Sequence, residues 1–284
     1  FIEGWGKGPE GRTLGIASGV AVDSRDRVYV VDREPAPAIV IYNRDGTLIT
    51  TWGEDIFNQP HELWIDQNDR VLVADCGDHT VRICTVDGQV IQTLGTPGVP
   101  GDSGTPFNRP TRAVVAPDGE IWVADGYGQQ CLHRFSPDGE LLATFGGRGA
   151  GPGRFTLPHS VACTRTGHIL VADREPNNRI CVLDKSGNLV AEWGPKAAQG
   201  GLPFVAPCGL FVSDDGTVYL ADGKLLIMDY NGFLLSEIPM PAHPDDGIRP
   251  HGAHSVWVDR HGDIYVTEVG VENLVHKLTR PGSV

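Results

Sequence analysis

Six copies of one sequence pattern run through the chain, and this internal repeat constrains its fold more than any other feature. Each copy reads as an apolar strand, a polar turn and a second apolar strand that ends in an acidic residue. The copies are SGVAVDSRDRVYVVD, HELWIDQNDRVLVAD, TRAVVAPDGEIWVAD, HSVACTRTGHILVAD, CGLFVSDDGTVYLAD and HSVWVDRHGDIYVTE. Their terminal acids are Asp32, Asp75, Asp125, Asp173, Asp222 and Glu268, which lie 43 to 50 residues apart.

Two more strands follow each pair, because segments such as LITTWG and LVAEWG come after a glycine turn. Four-stranded units of this period are typical of the blades of a β-propeller. The sequence therefore predicts an all-β, six-bladed propeller that occupies 1–284 as one domain. The last repeat supplies only three strands, and FIEGWG at the chain start resembles the outer strands, so an N-terminal strand is expected to complete the last blade. The predicted blades span 18–53, 60–95, 110–146, 158–194, 207–239, and 253–280 together with 1–6.

Composition narrows the classes of partner. A formal net charge of -13 disfavours a nucleic-acid surface, and no apolar run approaches the roughly 20 residues of a membrane span, so we expect neither partner. The six cysteines show no CxxC spacing, which favours free thiols and a cytoplasmic protein over disulfides. Because the chain begins at Phe1, a removed leader, and with it secretion, is the alternative.

Histidine occupies one register position in alternate repeats. Alternate blades of a six-bladed ring lie about 120° apart, and this position is at the start of the strand beside the central channel. Three imidazoles are therefore expected to converge on the axis and to hold one metal ion with an open position. Zinc is the first expectation, although nitrogen ligands also accept iron, cobalt, nickel or copper. The residues fourteen before the terminal acids are Ser18, His61, Thr111, His159, Cys208 and His254.

Other residues near this register offer rival ligands. His251 lies in RPHGAHSVW, but the spacing selects His254 and makes His251 a supporting or loop residue. Cys208 is a second rival, as a fourth, thiolate ligand. The histidines out of register are expected to be surface or turn residues, and they are His79, His133, His168, His243, His261 and His276.

Two arginines and a tyrosine follow terminal acids and are expected to share a rim with the histidines. The tetrapeptide DREP gives Arg33 and Arg174 on opposite blades, and DGYGQQ gives Tyr127. Guanidinium groups aimed at a metal site predict a small-molecule or peptide substrate with a carboxylate. The alternative is that each arginine pairs with an acid of its own turn. Tyr127 is either an acid–base group beside the metal or an aromatic cover for its loop.

The repeats resemble NHL repeats, most clearly in GAGPGRFTLPHSVA and ILVADREPNNRI. The segments QPHELWID, RPTRAVVAPDGEIWVADGYGQQ, PHSVACTRTGHILVADRE and AHSVWVDRHGDIYV further resemble the peptidyl-α-hydroxyglycine α-amidating lyases, over nearly the whole chain. This resemblance implies a zinc-dependent carbon–nitrogen lyase that cleaves an N-acyl-α-hydroxyglycine to a primary amide and glyoxylate. The roles it implies are zinc ligation by His61, His159 and His254, carboxylate binding by Arg33, proton transfer by Tyr127, and a place near the site for Arg174.

The chain departs from this family at two points. The structural calcium of the family uses an aspartate directly after the last zinc histidine, where this chain has Ser255, which argues against calcium. The cysteines of animal members correspond here to residues such as Asn108 and Gly128, which suits a protein without their disulfides. Three other functions stay open: a related lyase or hydratase acting on a ureidoglycolate-like compound, a non-enzymatic NHL interaction propeller, and a lactonase-like calcium propeller. The last would place carboxylate and amide oxygens in the channel, where this sequence has imidazoles.

Overall fold

The computed structural model of the chain consists of antiparallel β-sheets. Among the residues it describes, there is no helix with the length and apolar character that a membrane span requires. The described residues are 1–2, 4–6, 14–102, 104–194, 203–241, 252–269 and 275–279.

Each of the first three repeats forms one sheet of four consecutive strands. These sheets contain β1 (Ala17–Val22), β2 (Val28–Asp32), β3 (Ala38–Tyr42) and β4 (Leu48–Trp52); β5 (Pro60–Ile65), β6 (Val71–Asp75), β7 (Thr80–Cys84) and β8 (Val90–Gly95); and β9 (Arg112–Val115), β10 (Ile121–Asp125), β11 (Cys131–Phe135) and β12 (Leu141–Gly146).

The fourth and fifth repeats also form four-stranded sheets, and the described part of the sixth forms a three-stranded one. Their strands are β13 (Pro158–Cys163), β14 (Ile169–Asp173), β15 (Arg179–Leu183) and β16 (Leu189–Trp193); β17 (Gly209–Val212), β18 (Val218–Ala221), β19 (Leu225–Met228) and β20 (Leu234–Ile238); and β21 (Gly252–Val258), β22 (Ile264–Val269) and β23 (Val275–Leu278).

The first strand of every sheet contacts the first strands of both neighbouring sheets. The resulting ring runs through β1, β5, β9, β13, β17 and β21 and returns to β1. Six sheets around a common axis are a six-bladed propeller, so the predicted all-β architecture is confirmed.

Burial falls from the axis outward. The strands β2 and β3 are buried along their whole length, whereas β4 is partly exposed and β20 is mostly exposed. Apolar runs such as VYVVD have neighbours on both faces because adjacent blades pack against each other. The apolar core therefore lies between blades, as where Leu170 and Ile180 of the fourth sheet cluster with Leu210 and Leu220 of the fifth.

The start of the chain lies against the sixth sheet. The Ile2 amide donates a hydrogen bond to the Lys277 carbonyl at 2.8 Å. The ring of Trp5 lies 5.5 Å from Tyr42 and 5.3 Å from Tyr265, which joins the first and last blades. The position predicted for the N-terminal segment is thus the observed one, although the described residues there form this contact and a turn rather than a fourth strand.

The terminal acids of five repeats tie the second strand to the loop that enters the innermost strand. In each case the carboxylate accepts a hydrogen bond from a backbone amide seventeen residues earlier. This charge-assisted bond sets where the innermost strand begins. The pairs are Gly15 with Asp32, Asn58 with Asp75, Asn108 with Asp125, Thr156 with Asp173, and Val205 with Asp222.

Candidate metal centre

The three register histidines lie at β-bulges near the start of their innermost strands. The pairing of β5 with β6 skips His61, that of β13 with β14 skips His159, and that of β21 with β22 skips His254. The pairing of β1 with β2 skips Ser18 at the same register position. A bulge removes one residue from the alternation of a strand and re-aims its side chain, which here points into the channel.

The structure brings the three imidazoles together on the axis. The ring centroids of His61 and His159 are 4.7 Å apart, those of His61 and His254 are 5.1 Å apart, and those of His159 and His254 are 4.9 Å apart. One ring nitrogen from each lies within 4.8 Å of those of the other two. All three side chains are buried. The convergence expected from the register is therefore the observed geometry.

Each of these histidines donates its Nδ1 proton to a backbone carbonyl of the next blade. A carbonyl oxygen only accepts, so Nδ1 carries the proton and Nε2 carries the lone pair. Such a bond from the far ring nitrogen is the usual support of a metal-binding histidine. The pairs are His61 with Thr111 at 2.7 Å, His159 with Cys208 at 3.0 Å, and His254 with Ser18 at 2.7 Å.

The environment keeps these imidazoles neutral. Burial, followed by the charge of neighbouring histidines and of Arg33 or Arg174, holds the pKa of His61 and His159 well below the usual range. Burial and then Arg33 lower the pKa of His254 to about 3. A neutral imidazole is the form that binds a metal ion.

Tyr127 covers the centre. Its hydroxyl lies 2.9 Å from His61 Nε2 and 3.2 Å from His159 Nε2. One phenol proton can form a hydrogen bond with only one of these two imidazole lone pairs at a time. The Nε2 atoms are therefore suited to a metal cation, which would bind both lone pairs. Burial raises the pKa of Tyr127 to about 12, against the opposing charges of Arg33 and Arg174, so the phenol is protonated at neutral pH.

The two rim arginines differ in their partners. Arg174 makes a two-pronged ion pair with the adjacent Glu175, at 2.9 and 2.8 Å, as the alternative interpretation predicted. Arg33 is half-buried, and its Nε has no hydrogen-bond partner among the described residues. Arg33 is therefore the rim guanidinium with free bonding capacity for a ligand.

Sequence reasoning missed a third arginine at this rim. The Arg109 guanidinium lies 5.3 Å from the centre of the Tyr127 ring, within the range of a cation–π contact. Arg109 is exposed and has a positive φ of 63°, a conformation that non-glycine residues rarely adopt. Its signal in the sequence was weak, because it precedes the strand by three residues and belongs to none of the repeated motifs.

A buried ion pair lies directly below the histidines. The Arg112 guanidinium pairs with the Glu62 carboxylate, and the Ser255 hydroxyl donates to the same carboxylate at 2.7 Å. These residues come from the second, third and sixth blades, so their contacts cross the channel. Ser255, which argued against calcium in the sequence, is thus a hydrogen-bond donor in a layer where Arg112 supplies the positive charge.

Aromatic rings close the channel one layer further down. Trp64 lies 4.8 Å from Trp257, and Phe211 lies 5.0 Å from Trp257, measured between ring centroids. Trp64 follows Glu62, and Trp257 follows Ser255, by two positions, the spacing that returns a strand to the same face. The channel is therefore packed below the histidine centre, on the side away from Tyr127.

The remaining histidines and cysteines complete the comparison with the sequence. His133 is fully buried in β11, so its assignment to the surface was wrong. Cys208 supplies its carbonyl to His159, and its thiol is not part of the group of converging ligand atoms. His251 and His243 lie outside the described residues. All six cysteines are free thiols.

Comparison with known proteins agrees with this architecture. The NHL repeat model matches residues 57–84, 107–135 and 155–183. A gluconolactonase from Xanthomonas campestris is similar in structure, with a TM-score of 0.69 over 93% of this chain and 87% of that one. At 18% identity this likeness concerns the fold alone.

Two sequence relatives bear on the family. The chain is 36% identical over 146 residues to a probable peptidyl-alpha-hydroxyglycine alpha-amidating lyase of Caenorhabditis elegans, which covers 50% of this chain and 41% of that protein. It is 31% identical over 302 residues to human NHL repeat-containing protein 3, covering 95% of this chain and 81% of the human protein. The chain belongs to the NHL repeat family.

Proposed function

We propose that this protein is a metal-dependent carbon–nitrogen lyase that cleaves an N-acyl-α-hydroxyglycine to a primary amide and glyoxylate. The observation that carries the proposal is the buried ring of three neutral imidazoles beside Arg33, whose Nε has no hydrogen-bond partner among the described residues. The similarity to an amidating lyase over half of the chain points to the same chemistry. A non-enzymatic propeller has no evident need for three uncharged imidazoles that share one buried space.

His61, His159 and His254 would hold the metal ion, and zinc is the first choice because neutral imidazoles suit it. When bound, such an ion supplies Lewis acidity, which brings deprotonation of the substrate hydroxyl into the neutral pH range. The hydrogen bonds from Nδ1 to Thr111, Cys208 and Ser18 hold the rings in orientation and in the ligating tautomer.

The substrate R–CO–NH–CH(OH)–COO⁻ has one carboxylate, and Arg33 would bind it. Anchoring that end directs the neighbouring hydroxyl toward the imidazoles, which is a positioning effect. Collapse of the deprotonated hydroxyl forms the aldehyde of glyoxylate and breaks the C–N bond, and the nitrogen keeps the bonding electrons. The products balance when that nitrogen gains the proton that the hydroxyl lost.

Tyr127 would transfer that proton. Its hydroxyl lies at hydrogen-bond distance from two imidazoles, and its raised pKa makes it a donor at neutral pH. Arg174 would act through its charge, because its guanidinium is paired with Glu175. That charge partly offsets the increase that burial causes in the pKa of Tyr127. The other rim arginine, Arg109, stacks on the Tyr127 ring and would keep the phenol over the centre.

The decisive experiment incubates zinc-loaded protein with α-hydroxyhippurate and measures glyoxylate and benzamide together. We expect equimolar products from the wild type and from the control His261→Ala, an exposed residue outside the register. His159→Ala should lose zinc and activity together. Tyr127→Phe should keep its zinc and lose about 10²- to 10⁴-fold in kcat, the usual contribution of a proton-transfer group.

A wild-type protein that binds one zinc per chain and releases no glyoxylate would contradict the proposed substrate. Ureidoglycolate assayed in parallel separates the two carbinolamide substrates, since both carry the carboxylate and hydroxyl that the site would hold.

A further inference from the structure

A second group of potential metal ligands lies outside the channel, in the third blade. Asp125 ends β10, and Cys131 and His133 lie two residues apart on β11, so their side chains share one face. His133 Nε2 lies 3.2 Å from Asp125 Oδ2 and 3.5 Å from Cys131 Sγ. All three side chains are buried, and their ligand atoms lie within 4.8 Å of one another.

The hydrogen bonds around His133 allow its Nε2 lone pair to face this group. Thr144 Oγ1 lies 3.1 Å from the Gly104 carbonyl oxygen and 2.9 Å from His133 Nδ1. When the hydroxyl donates to Gly104, it accepts from Nδ1, and Nε2 is then an acceptor that a cation between it and the Asp125 carboxylate would bind. In the other neutral tautomer, the Thr144 hydroxyl donates to Nδ1 and Nε2 donates to Asp125, so metal binding would select the first tautomer.

The fourth blade shows how a terminal acid can be paired with a positive charge. In the fourth blade, the residue six positions after Asp173 is Arg179, and its Nε lies 3.2 Å from the Asp173 carboxylate. The residue six positions after Asp125 is Cys131. Asp125 still accepts hydrogen bonds from the Asn108 amide and the Gln129 side chain, but a thiol stands where the fourth blade has a guanidinium.

The separations suit a tetrahedral transition-metal ion. Bonds of about 2.3 Å to sulfur and about 2.05 Å to nitrogen and oxygen give ligand separations of about 3.5 Å for S–N and about 3.3 Å for N–O. The observed distances are 3.5 and 3.2 Å. A cleft of about 390 Å³ is lined by Cys131, Thr144 and Asn108 among others, so it reaches the group at the cysteine.

We propose that Asp125, Cys131 and His133 form a second metal site, for zinc or a similar thiophilic divalent ion, separate from the histidine centre. Thr144 and Gly104 would support the His133 ring from behind, as the carbonyls of neighbouring blades support the channel histidines. The site would join β10, β11 and β12, and it would supply the positive charge that Arg179 gives the fourth blade. This inference does not depend on the proposed lyase activity.

Cobalt(II) titration of the full chain tests the site, because a thiolate ligand gives cobalt a near-ultraviolet sulfur-to-metal charge-transfer band that imidazoles alone do not give. We expect the wild type to bind two cobalt ions and to show this band. His159→Ala should bind one and keep the band. Cys131→Ser and His133→Gln should bind one and lose it, while Cys181→Ser, a buried cysteine on the third strand of the next blade, should keep both ions.

Circular dichroism of each variant establishes that it is folded before titration. Absence of the band from the wild type at saturating cobalt would overturn the second site, and so would a band that survives in Cys131→Ser. A doubly protonated His133 in NMR spectra of cobalt- or zinc-saturated protein would overturn it as well, because that ring has no lone pair for a metal. Glyoxylate release should be lost in His159→Ala and kept in Cys131→Ser, whereas the charge-transfer band should show the reverse. Failure of the lyase proposal can therefore be distinguished from failure of the second site.

Discussion

Each histidine in the channel is oriented by a backbone carbonyl of the next blade, at the register position where that blade has no histidine. The carbonyls of Ser18, Thr111 and Cys208 accept the Nδ1 protons, and the Ser18 hydroxyl donates in turn to the His61 carbonyl at 2.6 Å. In the sequence these three positions were the register positions without a histidine, and Cys208 was a rival ligand. In the structure they determine which ring nitrogen of each ligand is free.

At the residue scale, Arg33→Ala tests the carboxylate anchor. A charge-assisted hydrogen bond contributes about 1.5–3 kcal/mol, so we expect KM for α-hydroxyhippurate to rise roughly 10- to 150-fold. Zinc stoichiometry should stay at the wild-type value, because Arg33 is not a ligand. Steady-state kinetics with metal analysis gives both numbers.

Arg25→Ala is the matched control, since Arg25 is exposed in the turn after β1. Unchanged KM in Arg33→Ala would remove Arg33 from the substrate site and leave Arg109 as the candidate.

At the scale of strands, the innermost strands approach one another so closely that only glycine fits at certain positions. A Cβ on Gly209 would lie 2.5 Å from the His254 carbonyl oxygen and 2.8 Å from Ser255 Cα. Both neighbours are backbone atoms of β21, which cannot yield as a flexible side chain would. The strand β17 therefore holds the ligand strand β21 in place without contributing a ligand.

Gly209→Ala should weaken zinc binding although it changes no ligand. We expect a loss of about 1–3 kcal/mol in the free energy of unfolding, as for overpacked interiors, together with weaker zinc affinity. Denaturant unfolding and zinc titration measure the two effects. Gly151→Ala is the control, because a Cβ there meets nothing within 4 Å, and equal results for both variants would contradict the close-approach argument.

The sequence predicted the strands and the register but not the local departures from them. The apolar runs and glycine turns repeat six times, so blade number and the convergence of His61, His159 and His254 followed from counting. The bulges that aim these histidines have no distinct signature, since the same apolar pattern continues through them. The ion pair between Arg174 and Glu175 could not be predicted from the motif DREP alone. The same motif gives an arginine paired with the next residue in the fourth blade and an arginine whose Nε has no partner among the described residues in the first blade.

The burial of His133 was not predicted, because this residue lies outside the register that the channel histidines share. A signal was present, in that Cys131 and His133 alternate on one face of a predicted strand that follows a terminal acid. Such a spacing places a thiol and an imidazole on the same face of one strand.

At the scale of the whole molecule, one ion would connect three blades that are not consecutive in the chain. The ligands come from β5, β13 and β21, the innermost strands of the second, fourth and sixth sheets. An ion held by all three would be bound only when the ring is closed, so it would stabilise the folded state.

Zinc should therefore raise the melting temperature of the metal-free protein. At free zinc 100-fold above Kd the folded state gains about 2.7 kcal/mol, which corresponds to a shift of roughly 4 to 5 °C in a protein of this size. Differential scanning calorimetry with and without zinc measures the shift in wild type, His61→Ala and Cys131→Ser. We expect His61→Ala to lose the contribution of the channel centre, and a shift of wild-type size in that variant would show that the channel does not bind zinc.

The hydrogen bond from each Nδ1 to a carbonyl of the next blade limits the number of blades that such a ring can have. Ligand-bearing and supporting blades alternate, so the pattern closes on itself only if the number of blades is even. A gene duplication that added a single blade would leave two blades of one kind side by side, and one imidazole would lose its acceptor or one carbonyl its donor. A ring that keeps this strict alternation therefore has an even number of blades.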